Sequence, residues 1–357
     1  MLIRKNNEHV FGWELDSRNW PSTAYMAAVP WIKEAWDSDQ GGAGKLTDLA
    51  YKHFHEGARG ERDTQIASLI GVDMRFRGLD GNTFHLPALA NKNTTPLNDE
   101  NGREELKSTL KALQHKTGHS ASPFYALLLM DGDGLGSMLH AHPEKSISKS
   151  LATFTDQVGE IVSQHNGVTV YAGGDDVLAM LPLPDAIAAA CRLELCFREA
   201  FLMHGIQASI SAAIVYAYFK QPLQAMLSEA RHQLDDVAKD GNGRASLAIA
   251  VLQGAGKNIE WVSTWCVNGN APPLRVQASA NRFKNERQFS TRFFYGLGNL
   301  FGLMPEDIER AGSGFDMGLD ETQMHDWMVA EYLDNRERKS NIEGNYSGTR
   351  RALVVLC

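Results

Sequence analysis

Nowhere does this chain of 357 residues approach the ~18 consecutive apolar residues of a membrane span, and its start, MLIRKNNEHVFGWELD, turns polar too early for a signal peptide. The sequence is therefore read as cytoplasmic, with no membrane partner. Cysteine is scarce. Cys191, Cys196, Cys266 and Cys357 show no CxxC spacing, which excludes a zinc ribbon and a disulfide framework and leaves reduced, mostly buried thiols. Positive charge is also short. The 35 Lys and Arg against 43 Asp and Glu give −8, which argues against a field that attracts nucleic acid over the whole surface and leaves only local contact. There is no internal repeat and no second copy of GGDD. What remains is a globular composition, 43% hydrophobic and 22% charged, in a chain long enough for two to three domains at ~150 residues each.

In WPSTAYMAAVPWIKEAW, Ser22 or Thr23 is placed to cap an apolar-periodic helix. NKNTTPLNDENG, residues 91–102, is polar and turn-rich and reads as a loop or domain boundary. YALLLMD (125–131) is a continuous apolar run ending in an acid, as in a strand buried on both faces. A helix over 147–167 stops at Asn166-Gly167, and VTVYAGGDDVLAMLPL (168–183) reads as a hairpin with its tip at the glycines. A helix (185–205), a strand (206–217), a helix (222–243) and a closing strand (245–252) follow. The order β-α-β-β-α-β-α-β is α+β, the split βαβ or ferredoxin-like pattern with additions. The expected organisation is a mostly helical lead-in (1–120), a palm-like domain (121–254) and a helical, aromatic and basic C-terminal region (255–357).

Asp131 and Asp133 follow the first strand, and Asp175 and Asp176 sit at the hairpin tip. A split βαβ sheet makes that strand and hairpin neighbours, so the four acids converge on one sheet end. Clustered carboxylates raise one another's pKa unless cations neutralise them, and hard oxygen ligands suit Mg²⁺ or Mn²⁺. Two such ions ~3.5–4 Å apart activate an attacking hydroxyl and hold a triphosphate for in-line displacement. Gly132, Gly134, Gly136, Gly173 and Gly174 let phosphate or base approach the backbone. Lys239 is placed to reach a polyphosphate as a point charge. In isolation GGDD is as readily a plain turn. DGDG after an apolar strand, GGDD some forty residues later, SISAAIV and an AK…GR ending, in that order, outweigh that reading.

Those strings, in full PFYALLLMDGDGLGSML, VTVYAGGDDVLAMLPL, ASISAAIV, FKQPLQAMLSEA and VAKDGNGRASLAIAVL, resemble the palm domain of the large signature subunit of type III CRISPR effector complexes. The Cmr-type subunit, related to GGDEF cyclases, is the nearer likeness. WPSTAYMAAVPW and LDGNTFHLPAL resemble that subunit's lead-in. The resemblance implies synthesis of cyclic oligoadenylates from ATP with two divalent cations, triggered when a guide-RNA complex binds target RNA. The implied partners are the other effector subunits, guide RNA and target RNA. By residue it implies Asp131, Asp175 and Asp176 as catalytic metal ligands, Asp133 as a further ligand, and Lys239 as a triphosphate contact. The family usually begins with an HD nuclease domain, a first palm and a cysteine-rich zinc element. None is visible here, so the chain reads as the second half of a larger subunit, with a separate N-terminal half carrying the first palm as a further implied partner. The alternatives are a GGDEF-like cyclic dinucleotide synthase and a catalytically silent scaffold of a guide-RNA complex.

Weaker candidates are read structurally. His53-Phe54-His55-Glu56 and His140-Ala141-His142 have HxH spacing but no third ligand, and His325-Asp326 is an HD pair by letters only. Asp235-Asp236 fits a solvated helix face, and Cys191 and Cys196, five apart, do not share a helix face. Tyr218-Phe219-Lys220 stands where the family often has His before Tyr-Lys. Trp261, Trp265, Phe283, Phe289, Phe293 and Phe294 accompany Arg275, Arg282, Lys284, Arg287 and Arg292, and are read as core aromatics ahead of an RNA platform.

Overall fold

A computed structural model describes residues 21–54, 66–95, 97, 101–253, 256–266, 271 and 273–274. The phenylalanines and basic residues from Arg275 onward, His55, Glu56, His325, Asp326 and Cys357 lie outside the described residues. The described lead-in is helical: α1 (Thr23–Ser38), α2 (Gln40–His53), the short α3 (Met74–Arg77) and α4 (Leu86–Ala90), then α5 (Asn101–Thr117). Ser22 caps α1 by accepting from the Tyr25 amide, which satisfies one of the orphan donors of a helix start. The polar stretch after α4 turns through Asn91–Thr95, where buried Arg103 donates to the Leu89 and Thr95 carbonyls.

The palm begins with β1 (Phe124–Gly132), followed by α6 (Leu135–Ala141), α7 (Glu144–Gln164), β2 (Val168–Gly173) and β3 (Asp176–Pro182). After these come α8 (Ala186–Leu202), β4 (Ile210–Tyr218), α9 (Leu223–His232), a π-helical stretch (Gln233–Gly241), β5 (Ser246–Gln253) and β6 (Gly256–Thr264). Helix α7 buries Ile147, Ser150, Phe154, Val158 and Ile161 at spacings of three and four, one stripe of a 3.6-residue helix. It ends where Asn166 adopts φ 58° and the Gly167 amide donates to the Val162 carbonyl.

The six strands run in the order β2-β3-β1-β4-β5-β6. The first four elements of that order are antiparallel, as the split βαβ pattern requires, and β5 joins β4 in parallel through the α9 crossover. The strand series does not close at 252. Strand β6 pairs antiparallel with β5, so the sheet runs past 254 and through Trp261 to Thr264. Trp265 then buries its ring and donates Nε1 to the Ile210 carbonyl at 2.7 Å, a core role for that aromatic.

Alternation along the strands divides the interior. Ala126, Leu128 and Met130 of β1 face α7 and α8 on one side. Tyr125 and Leu127 face the other side, where α1 to α5 and α9 pack, so the lead-in is a wall of the palm core. Phe219 helps to fix it. Its ring stacks on His85 with centroids 4.5 Å apart, and its carbonyl accepts from Thr23 Oγ1 at 2.7 Å. The Tyr-Phe-Lys segment at 218–220 thus anchors the lead-in to the end of β4.

Candidate active site

Register brings the acids together. Met130 of β1 pairs with Val177 of β3, so the next residues toward the hairpin tip are Asp131 and Asp176. The tip itself turns through Gly174 at φ 65°, a conformation that a side chain disfavours, and presents Asp175. Thr155 of α7 holds this tip by donating to the Gly174 carbonyl at 3.1 Å. Asp175 leans over β1 at Gly132, where an added Cβ would stand 2.8 Å from the Asp175 Cβ, so only glycine permits the approach. The result is that carboxylate oxygens of Asp131, Asp175 and Asp176 all lie within 4.8 Å of one another. Gly134 caps α6 in the left-handed region, and Gly173 lies under the Tyr171 hydroxyl.

The electrostatics follow from that crowding. Partial burial, and next the hydrogen bond and charge of Asp131 together with the charge of Asp175, push the Asp176 carboxyl up to about 6. Asp175 is raised as well, chiefly by burial and further by the charge of Asp131, while its own amide and that of Gly132 pull the other way. Lys239 supplies the compensating cation. It is carried by the π-helical stretch, its ammonium donates to Asp131 Oδ2, and Asp235 Oδ1 lies 4.0 Å away. An oxygen-only set of three converging acids, two of them with raised carboxyl pKa values, fits a hard divalent cation.

One sequence expectation changes. Asp133, expected as a further ligand, is not part of the cluster. It is buried, and its carboxylate accepts from Ser209 Oγ and Ser211 Oγ, both at 2.7 Å, and from the Ala245 amide at 3.0 Å. The reason is that β1 ends at Gly132, so the strand alternation that would have put 131 and 133 on one face stops between them. Asp235 and Asp236 are both exposed, as read from the sequence: Asp235, with 62% of its side chain accessible, borders the cleft described next, and Asp236 pairs with His232 at 2.6 Å. Among the described residues His53 is buried, its Nε2 4.0 Å from a Glu105 carboxylate, and no histidine joins a cluster able to hold a metal.

Asp131 and Asp176 open on a cleft of about 380 Å³. Its floor continues their own strand faces: Leu129, two residues before Asp131, pairs with Leu178, two residues after Asp176. Leu227 and Leu234 wall it from α9 and the π-helical stretch, and Tyr171 and Arg231 flank it. None of these was singled out from the sequence, because hydrophobic strand and helix residues read as core unless the facing layer is known to stop short. Tyr171 did carry a signal, being a large aromatic beside the GGDD turn; it is 51% exposed, on a strand bulged between Thr169 and Tyr171.

A ferredoxin-like sheet with three carboxylates and a lysine gathered at the end of β1 and the β2-β3 hairpin is the arrangement of a palm domain. Residues 124–248 match the family model described as Cas10/Cmr2, second palm domain. A curated relative, the CRISPR system Cmr subunit Cmr2 of Pyrococcus furiosus, is 30% identical over an alignment 191 residues long that covers 44% of this chain and 22% of that protein. A chain in the cryo-EM structure of the apo state of Type III-B Cmr-beta matches with a TM-score of 0.54 at 12% identity, over 91% of this chain and 43% of that one. A chain of Type III-B Cmr-beta bound to cognate target RNA matches at 0.56 and 14%, over 91% and 44%. At these identities the structural likeness is one of fold, and the chain spans less than half the length of each of these relatives. No helix among the described residues is long and apolar enough to cross a membrane.

Proposed function

We propose that this palm joins adenylates from ATP into cyclic oligoadenylates, as part of a type III CRISPR ribonucleoprotein with guide RNA, in response to target RNA. The observation that carries the chemistry is the convergence of Asp131, Asp175 and Asp176 within 4.8 Å beside Lys239, at the mouth of an apolar cleft. Asp131, Asp175 and Asp176 would hold the divalent cations, Mg²⁺ or Mn²⁺. Such ions, when bound, neutralise phosphate charge and lower the pKa of an attacking hydroxyl. The chain's own residues do the rest. The Leu129–Leu178 floor and the Leu227 and Leu234 walls take the base out of water, and Lys239 contributes a positive charge to the polyphosphate. Adenine as the base, the 3′ to 5′ linkage and the RNA trigger rest on the family likeness.

Joining two nucleotides needs one site for the attacking 3′-hydroxyl and one for the activated α-phosphate. Holding both in near-attack geometry accounts for ~7–11 kcal/mol of barrier lowering, and one cleft holds one nucleotide. The chain as a monomer is therefore expected to bind ATP and Mn²⁺ yet make little cyclic product, and a supplied first palm is expected to restore synthesis. The assay is turnover of ATP by the chain alone, at concentrations where light scattering shows a monomer, repeated with that half added. Failure to bind either ATP or Mn²⁺ leaves the scaffold reading, and conversion of GTP to a cyclic dinucleotide moves the assignment to the GGDEF-like synthase.

A further inference from the structure

We propose that Asp133 is a positioning residue, whose carboxylate fixes the left-handed turn after Lys239 and so aims that ammonium at the nucleotide polyphosphate. The inference rests on the nucleotide-binding reading above and assigns a new role within that site. The turn itself is unusual. Gly243, Arg244 and Ala245 follow one another at φ 76°, 72° and 46°, the last two in a region that L side chains rarely adopt. Such backbone persists only where its surroundings over-determine it, and it gathers at functional sites.

Here the surroundings can be named. The Arg244 amide donates to the Ala238 carbonyl at 3.1 Å, which ties the turn to the residue before Lys239. Ser246 Oγ donates to the Arg244 carbonyl at 2.6 Å, and the Trp265 amide to that of Ala245 at 3.1 Å. The charged acceptor is Asp133, which takes the Ala245 amide on Oδ2. Ser209 Oγ shares that oxygen and Ser211 Oγ takes the other, while the Asp133 amide donates to the Ser209 carbonyl at 2.9 Å. Both oxygens are engaged and the residue is 8% exposed, so the carboxylate is directed into the fold.

The connectivity gives the role. Asp133 is joined to Asp131 through one glycine on one side, and on the other through the Ala245 amide and the Ala238 carbonyl to Lys239. It is the brace between the strand that carries an acid of the cluster and the helical stretch that carries the lysine. Two serines at the start of β4 complete the brace: Gly132 pairs with Ile210, which sets Ser209 beside Asp133. Charge-assisted bonds to a buried carboxylate suit this task, because they are short and costly to leave unmade.

The test uses the full chain and two probes: Mn²⁺ alone, followed by electron paramagnetic resonance, and α,β-methylene-ATP in the presence of Mn²⁺, followed by calorimetry. Asn at 133 has the same shape but offers an NH₂ where a donor now arrives. Asp133→Asn is expected to bind Mn²⁺ within about twofold of the parent and the analogue about tenfold more weakly, the size of one lost charged hydrogen bond. The two effects should not add. In a Lys239→Met background Asp133→Asn is expected to cost no further analogue affinity, which a general loss of stability would not reproduce. Should Asp133→Asn fail to fold, Ser211→Ala, which removes one donor and keeps the carboxylate, is put through the same cycle and is expected to show a smaller loss in the same direction.

Loss of Mn²⁺ binding equal to that of Asp131→Asn would make Asp133 a ligand and overturn the proposal, as would undiminished analogue binding or additive losses. If the parent chain binds neither Mn²⁺ nor the analogue, the nucleotide-binding reading fails and this inference falls with it. If the parent binds both, a negative result counts against Asp133 alone.

Discussion

Replacing Asp176 by asparagine should stabilise the metal-free chain while removing a residue proposed to hold the cation. The folded-state carboxyl is raised from 3.8 to about 6, by partial burial first and then by Asp131 and Asp175. Between those values the folded chain binds more protons than the unfolded one, so stability falls as pH rises through this window and stays low above it. A shift of that size corresponds to ~3 kcal/mol at neutral pH for a fully shielded group. Asp176 is solvent-exposed, and screening reduces the figure to roughly 1–1.5 kcal/mol. Asparagine keeps a donor for Asp131, as the protonated acid does, and carries no charge to be repelled. The expected gain in EDTA at pH 7.5 is about 2–6 °C in Tm, given ~2–4 °C per kcal/mol for domains of this size. It should be largely gone by pH 4, where the parent carboxyl is itself protonated in the fold. Scanning calorimetry at the two pH values measures it, and Mn²⁺ added at pH 7.5 should reverse the order by stabilising only the parent. A variant less stable than the parent at pH 7.5, or equally stabilised at pH 4, would refute the reasoning.

Gly132→Ala should push the hairpin tip away from β1, since its Cβ would stand 2.8 Å from the Asp175 Cβ. The expected outcome is a fold weakened by about 1–3 kcal/mol, with Mn²⁺ affinity reduced about tenfold or more, read by calorimetry and electron paramagnetic resonance. Asp175→Ala combined with Asp176→Ala should abolish nucleotide joining with the far-UV circular dichroism unchanged, because both side chains end at the site and neither packs in the core. Product formed at the parental rate would remove both from the chemistry.

The strand and helix order of the palm was legible because each element announces itself locally. YALLLMD is too apolar for an exposed segment, Asn166-Gly167 stops a helix, and the two glycines of GGDD separate two β-rich runs. The order of elements then put the acids of β1 and of the hairpin at one sheet end, since the two are neighbours in any split βαβ sheet, and the register of Met130 with Val177 sets Asp131 beside Asp176. Strand β6 was not legible. Its sequence, GKNIEWVST, carries Gly, Lys and Asn at its start, and its strand character comes from pairing with β5 through the register of Ala248 with Val262 and Ile249 with Trp261.

The site's finer geometry depends on where regular structure stops, and periodicity is silent on that. Asp131 and Asp133 are two apart, a spacing that shares a face only while a strand continues, and β1 ends between them. Lys239 lies within what reads as one unbroken helix over 222–243, yet nine of its residues, Gln233–Gly241, are π-helical. A wider turn rotates the later side chains relative to the α-helical projection, and Lys239 meets Asp131 from that stretch. The two departures belong to one arrangement. The π-helical stretch brings Lys239 to Asp131, the left-handed turn after it returns the chain to β5, and the carboxylate of Asp133 closes that turn from the end of β1. Letters spaced for a second metal ligand thus serve as a clamp on the residue that faces the first, a distinction that hydrogen-bond partners reveal and sequence spacing cannot.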